Sequence, residues 1–349
     1  MLLGLLMLVW FVRPQRHHAG PAGQRRIRPA ETGHKRPKLM SVSTVSRESR
    51  PNHHVVSRGL QRNFADDSHR IALLDSTSGR LIDRSRAIKS NFVLPGFNEV
   101  ELESGTSDWL ERAFASIERT VLNQVRTVGP RNAGPKMRAA VANLFALHLV
   151  RSESFRTGHD HVMGQLRTDE IPRIANDAEA VAIFQRQYGR SPADGEIQAI
   201  AEQLLDRAAA GKRMLAESTA LQHDRIAEML NRFSMQVLWT VEPRPGFILG
   251  DVPVVHGLVE SERFGFRDGL AIGDANLVIG PLTRRIAVCF TARQLPHVEL
   301  RTRKMVDLVN AVFWRASREL VACHPDDVLA TQQMARRIDR LPVRMLHMG

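Results

Sequence analysis

The sequence predicts an α+β fold in which a small mixed or antiparallel sheet is covered by a mostly helical middle section and by C-terminal helices. Apolar residues recur at a spacing of three and four over about residues 107–233, which is the period of a helix. Short apolar runs divided by Gly and Pro lie on both sides of that stretch and are typical of strands. Because strands and helices are segregated along the chain and do not alternate, an α+β fold is favoured over repeated β–α–β units.

Composition and charge point to a globular body. The chain has 349 residues, of which 43% are hydrophobic and 25% are charged. Of the formal net charge of +12, residues 1–39 carry +7, which leaves 12 − 7 = +5 for residues 40–349. A surplus of this size is ordinary for a solvated surface. Most of the basic character that would indicate a nucleic-acid or membrane-surface partner therefore belongs to the N-terminal segment.

The N-terminal segment does not resemble part of a folded domain. Residues 1–12 are apolar, but a spanning helix needs about 20 residues, and no basic stretch precedes them as in a secretory signal. Residues 13–39 are rich in Arg, Pro, Gly and His, a composition that cannot bury a core. We expect residues 1–39 to be disordered, or to be upstream sequence read in frame with translation starting at Met40. Residues 40–349 would then form a single cytoplasmic domain without a transmembrane helix.

The two cysteines fit that compartment. Cys289 and Cys323 are far apart and match no metal-ligand spacing. Cys289 lies inside the apolar run 286–290, so a buried and reduced thiol is expected.

The elements are predicted in the following order. A strand at 70–74 has a hairpin partner at Leu81-Ile82, and a helix starts after Ser107-Asp108. A second helix covers 140–149, after the breakers Gly134-Pro135. The further predicted helices cover 174–188, 194–208 and 217–233, the strands 235–241, 247–249, 275–279 and 285–290, and the final helices 305–320 and 326–340.

Local enzyme motifs are missing from the sequence. It contains no phosphate loop, dinucleotide fingerprint, HExxH or GxSxG motif. Candidate chemistry therefore rests on a few polar residues whose structural roles are equally open.

The first candidate is the pair His53-His54, with Arg58 and Asn63 in the segment that follows. Neutral imidazoles bind metals and move protons near pH 7. On an extended segment, however, adjacent side chains face opposite ways, so one histidine could be structural and the other solvated.

The second candidate is Asp251, at the end of the apolar run 247–249. A carboxylate at the end of a strand could be a metal ligand or a general base. It could equally accept hydrogen bonds from local backbone N–H groups.

The remaining candidates lie around the end of the second helix. Arg151 and Arg156 could bind a substrate phosphate, but cations there also complement the helix dipole. The triplet at 159–161 has the residues of a metal site and is predicted to be a solvated loop. His148 lies on an apolar helical face and is expected to be a core histidine.

Several segments together resemble a bacterial family, domain of unknown function 4238. The segments are 53–65 with its His-His pair and Asn63-Phe64, the helix end 146–152, the run 247–254, and the Pro-Leu strand entry 278–282. The resemblance covers roughly residues 52–320 and implies a fold without assigning an activity. The chain departs from the family pattern at four positions, with Ser57 for Pro, Gly250 for Ser, Val252 for Asn and Arg284 for Pro.

The leading functional hypothesis joins these residues into one site. His53, His54 and Asp251 would approach one another and hold a divalent metal, with His54 and Asp251 as catalytic residues. Arg151, Arg58 and Asn63 would bind the substrate. The protein would be a metal-dependent hydrolase or nuclease-like enzyme acting on a phosphorylated or nucleic-acid ligand. The competing hypothesis is a non-enzymatic binding or regulatory protein in which the same residues tie the β layer to its helical cover.

Overall fold

The computed structural model describes residues 52–95, 97–98, 100–102, 105–107, 109–209, 213–258, 263–265 and 270–341. The predicted N-terminal extension, residues 1–39, lies outside these described residues. Within them the architecture is α+β, as the sequence predicts.

A six-stranded sheet forms the middle layer. Its order is β10-β9-β11-β12-β7-β13, antiparallel throughout except for the parallel pair of β13 with β7. These strands are β7 (Ser234–Trp239), β9 (Val255–Leu258), β10 (Arg263–Phe264), β11 (Leu277–Thr283), β12 (Ile286–Thr291) and β13 (Val298–Glu299).

A second, four-stranded antiparallel sheet has the order β3-β2-β14-β8. Its strands are β2 (Arg70–Asp75), β3 (Leu81–Ala87), β8 (Leu249–Gly250) and β14 (Leu320–Cys323). Two short antiparallel ribbons complete the described strands. They pair β1 (Asn52–His54) with β4 (Val93–Pro95), and β5 (Val100–Leu102) with β6 (Gly105–Ser107).

Helices occupy the middle of the chain and its C-terminal part. A short helix, α1 (Arg58–Arg62), begins at Ser57, whose hydroxyl accepts a hydrogen bond from the Leu60 N–H. The other helices are α2 (Trp109–Val125), α3 (Pro135–Val150), α4 (Glu153–Gln165), α5 (Ile171–Ala175), α6 (Ala178–Tyr188), α7 (Glu196–Ala209), α8 (Arg213–Arg232), α9 (Arg303–Ala316) and α10 (Val328–Ala335).

Each face of the six-stranded sheet buries a different apolar core. Val278 and Val288 face α2, α3 and α8, whereas their neighbours Ile279 and Cys289 face α9 and the four-stranded sheet. Successive side chains of a strand point to opposite faces, so the nearly continuous apolar runs of these strands serve both cores at once. Helix α3 is buried from Leu144 to Val150, and its C-terminal end is thereby fixed inside the molecule.

Most predicted elements are present, with a few informative differences. The predicted helix at 174–188 is divided, because Asp177 caps the start of α6 through the Glu179 N–H. Leu320 belongs to β14 and not to the helical face predicted for it, since α9 ends at Ala316. The triplet at 159–161, predicted to be a loop, lies within α4. Both cysteines are free and buried, as expected.

No helix among the described residues is long and apolar enough to cross a membrane.

Candidate functional site

The histidine pair sits in the ribbon of β1 and β4. His53 pairs with Leu94 and His54 with Val93, so the two imidazoles alternate along the strand. His53 is only 4% exposed, and its Nδ1 accepts a hydrogen bond of 2.8 Å from the Asn98 N–H. Because this bond uses the Nδ1 lone pair, Nδ1 carries no proton.

Arg151 lies at the buried C-terminal end of α3. Its side chain is 2% exposed and joins two carboxylates of α2, Glu111 at 2.8 Å and Glu118 at 2.6 Å. The guanidinium also lies 5.4 Å from the centroid of the Phe114 ring, which is on the same helix. Arg151 thus clamps α2 to the end of α3 by charge as well as by packing.

Asn98 connects the histidine pair to this ion pair. Its side-chain amide donates to Glu111, and its amide oxygen accepts a 2.8 Å hydrogen bond from Arg156. The Arg156 guanidinium lies 3.5 Å from the centroid of the Phe97 ring. Burial, followed by the neighbouring charge of Arg151, lowers the pKa of Arg156 to about 10.

The name Arg151 cluster is used for the residues joined by these contacts, for the groups whose pKa values Arg151 influences, and for Arg58, which influences two of those groups. The cluster consists of His53, His54, Arg58, Asn98, Glu111, Glu118, His148, Arg151 and Arg156.

The protonation of His54 depends on its burial and on the charged residues around it. Burial, followed by the positive charges of Arg58 and Arg151, lowers the pKa of His54 from its ordinary value. Its Nε2 is shielded from solvent and has no hydrogen-bond partner in the described part of the chain. A neutral imidazole with a free Nε2 is the form required of a proton acceptor.

The pKa of Glu118 is shifted in the direction opposite to that of His54. Burial raises the pKa of Glu118, and Arg151 opposes that shift while Glu111 adds to it. Arg58 also acts on this carboxyl group, as it does on His54. The same cation is therefore close enough to influence both titratable groups.

His148 is a buried histidine with no satisfied nitrogen. It is 1% exposed, and neither ring nitrogen has a hydrogen-bond partner among the described residues. Burial, followed by the charge of Arg151 three residues later, lowers the pKa of His148 to about 3. His148 is therefore neutral in the folded protein at ordinary pH.

The cluster has an unbalanced charge. It holds three guanidinium groups, Arg58, Arg151 and Arg156, against the two carboxylates Glu111 and Glu118, a surplus of one positive charge. Arg58 is exposed, and within the described residues its guanidinium makes no hydrogen bond or ion pair. An exposed guanidinium beside a neutral histidine can receive an anionic ligand.

The comparison with protein families agrees with the resemblance seen in the sequence. Residues 52–327 match the family described as "Protein of unknown function (DUF4238)". The chain belongs to this family. No curated protein and no solved structure matches it.

In this member of the DUF4238 family Asp251 is not placed as a metal ligand. Its Oδ1 accepts from the Arg318 N–H at 2.8 Å, and its Oδ2 accepts from the N–H groups of Glu319 at 2.8 Å and Leu320 at 3.0 Å. Three backbone donors occupy the carboxylate and fix β8 to the start of β14. The predicted set of His53, His54 and Asp251 is therefore corrected. Within the described residues, no group of three or more His, Cys, Asp or Glu side chains could hold a metal ion.

Two predicted substrate-binding residues also have internal partners. The Asn63 side chain donates to the Leu282 carbonyl oxygen at 2.8 Å, which ties the end of α1 to β11. Arg151 is buried and occupied by two carboxylates, so its guanidinium does not face a ligand. Of the predicted residues, His53, His54, Arg58 and Arg151 belong to the Arg151 cluster, whereas the side chains of Asp251 and Asn63 bond to main-chain groups elsewhere.

The family departure at Gly250 has a local explanation. A Cβ atom on Gly250 would overlap the Ser317 hydroxyl oxygen, which itself donates to the Phe313 carbonyl at 2.8 Å. The side chain of Ser317 thus fills the space that the family's serine at position 250 would need.

Sequence reasoning missed Asn98, Glu111 and Glu118. The two acids are seven positions apart on α2 and therefore lie on one side of it, beside the apolar residue Phe114. Two acids at helical spacing along an apolar face could have indicated that these carboxylates are partly buried and paired. Nothing in the sequence distinguished Asn98 from other loop residues.

Proposed function

We propose that the Arg151 cluster is a general acid–base site and that the protein hydrolyses a phosphorylated substrate. The observation that carries the proposal is the unpaired, shielded Nε2 of a neutral His54 beside the unpaired guanidinium of Arg58. Buried polar atoms without partners are uncommon in native proteins and are frequent at functional sites. Four of them belong to this cluster, namely His54 Nε2, Arg151 Nε and both nitrogens of His148.

His54 is assigned the role of general base. Its lowered pKa keeps the ring neutral at pH 7, so Nε2 can take a proton from a water molecule that attacks phosphorus. A new P–O bond forms, and the bond from phosphorus to the leaving oxygen breaks.

Glu118 is assigned the role of general acid. Burial raises the pKa of its carboxyl group against the opposing charge of Arg151, and once the group has taken up a proton it can deliver that proton to the leaving oxygen. A histidine with a lowered pKa and a glutamate with a raised pKa are the pair that such a division of labour requires.

Arg58 is assigned to the substrate phosphate. It is the exposed cation of the cluster, and a guanidinium matches the geometry of phosphate oxygens. Arg151 acts indirectly, since its two ion pairs hold Glu111 and Glu118 in place.

The proposal is tested by measuring phosphate release from a panel of esters by the purified full chain. The panel contains phenyl phosphate, 4-nitrophenyl phosphate and bis(4-nitrophenyl) phosphate. We expect His54→Gln to lower kcat/KM by about 10²- to 10⁴-fold. Arg58→Gln should raise KM by about tenfold, because it removes a charged contact to the phosphate. Glu118→Gln should slow the hydrolysis of phenyl phosphate more than that of 4-nitrophenyl phosphate, because 4-nitrophenolate leaves without needing a proton.

Two residues close to the site in the sequence provide matched controls. His69→Asn changes an exposed histidine whose φ of 58° asparagine accepts, and Arg62→Gln changes an exposed arginine on the same helix as Arg58. Both controls should keep wild-type rates. Binding of inorganic phosphate through Arg58 without turnover of any ester would contradict the enzymatic assignment and favour the binding-protein alternative. Equal activity of His54→Gln and wild type would also contradict it.

A further inference from the structure

A separate groove lies on one side of the four-stranded sheet. It encloses about 500 Å³ and is lined by β2, β3, β4, β14 and the residues that follow β8. A volume of this size is typical of small-molecule sites, which span roughly 300–1,000 Å³. The groove includes no residue of the Arg151 cluster.

One wall of the groove is apolar and uncovered. Ile82 of β3 is 45% exposed and Leu94 of β4 is 38% exposed, and both line the groove together with Phe92. These large, exposed apolar side chains border one common space. An apolar ligand would fill that space. Their burial would contribute about 25 cal/mol for each Å² removed from water.

The charged residues of the groove are mostly neutralised within the protein. Arg318 forms a 2.8 Å ion pair with Glu153, and three backbone N–H groups bind Asp251. Glu319 is exposed, so water solvates its carboxylate. Arg86 differs from these, since it is half-buried and its guanidinium makes no hydrogen bond or ion pair with any described residue.

We propose that this groove binds a small amphipathic anion, with a carboxylate or phosphate head paired to Arg86 and an alkyl body against Ile82 and Leu94. A partly desolvated guanidinium gains most from an anionic partner that can bond to it bidentately. The apolar wall next to it selects anions that carry a hydrocarbon chain over inorganic ions. This ligand site shares no lining residue with the proposed hydrolytic site.

The test is a calorimetric titration of the full chain with octanoate, octyl phosphate and the neutral octanamide. We expect at least one anion to bind about tenfold more tightly than octanamide, and Arg86→Gln to remove that difference. Which of the two anions binds more tightly identifies the head group. Ile82→Ser should weaken the binding of all three ligands, because it removes apolar contact and leaves the charge of Arg86 in place.

Arg84→Gln is the matched control. Arg84 is an exposed arginine two positions before Arg86 on β3, and it does not line the groove. Its substitution should leave every affinity unchanged. The proposal is overturned if neither anion binds, if octanamide binds as tightly as both anions, or if Arg86→Gln and Arg84→Gln behave alike. His54→Gln should leave these titrations unaltered, so failure here and failure of the hydrolytic proposal are distinguishable.

Discussion

At the scale of single residues, the same chemical type performs different tasks according to its partners. Asp251 and Glu118 are both carboxylates that the fold shields. Three backbone donors occupy Asp251, whereas Glu118 shares one guanidinium with Glu111 and has a raised pKa. In the second arrangement, burial favours the protonated form of the Glu118 carboxyl group and Arg151 opposes it.

Gly250 gives a residue-scale prediction. Gly250→Ser restores the family's usual residue but would overlap the Ser317 hydroxyl, so we expect a loss of about 1–3 kcal/mol in the free energy of unfolding. Chemical denaturation measures that loss. The double variant Gly250→Ser with Ser317→Gly should recover a substantial part of it, because the second change vacates the overlapping space. Purely additive losses in the double variant would show that the two side chains do not compete.

At the scale of elements, the helices were predicted better than the strands. The helices α2, α3 and α8 carry a period of three and four over several turns, and that pattern is local. Short strands such as β1, β4 and β14 were missed or misassigned, because three or four residues carry too little periodicity and their pairing is decided elsewhere in the chain.

The clamp between α2 and α3 gives an element-scale prediction. Arg151→Met would leave Glu111 and Glu118 without the guanidinium that joins them in a shielded site. We expect this change to cost about 3–5 kcal/mol in the free energy of unfolding, the usual result of breaking one side of a buried ion pair. Thermal and chemical unfolding measure it.

A compensating variant separates charge from packing. Arg151→Met combined with Glu111→Gln and Glu118→Gln removes all the charges together, so most of the lost stability should return. If the triple variant is as unstable as Arg151→Met alone, the stabilising role of Arg151 is packing and not ion pairing.

At the scale of the whole molecule, the buried histidines couple folding to pH. The pKa of His148 is about 3 in the folded protein, against an ordinary value of 6.5. As the pH falls through this window, the unfolded chain takes up a proton at His148 and the folded chain does not. The stability associated with a neutral His148 is therefore complete above about pH 6.5 and is lost progressively towards pH 3.

His148→Leu tests this coupling. The variant removes the titrating group and two unsatisfied nitrogens from an apolar surrounding, so we expect its stability to depend less on pH between 6.5 and 4. Chemical unfolding at several pH values gives the slope. The other histidines with lowered pKa values, which are His54, His159, His256 and His324, should leave a residual slope. An unchanged slope in His148→Leu would contradict the assignment.

The sequence by itself determined the α+β class, the helical middle of the chain and the family. It also marked the histidine pair as a candidate site. These features depend on local periodicity and on short motifs, which the order of residues records directly. The tertiary structure alone decided which polar side chains meet. Arg151 reaches Glu118 across 33 positions and Glu111 across 40, while Asp251 turns to backbone donors nearly 70 positions away. Such contacts depend on how α2, α3 and the two sheets pack in space, and no local pattern specifies that packing.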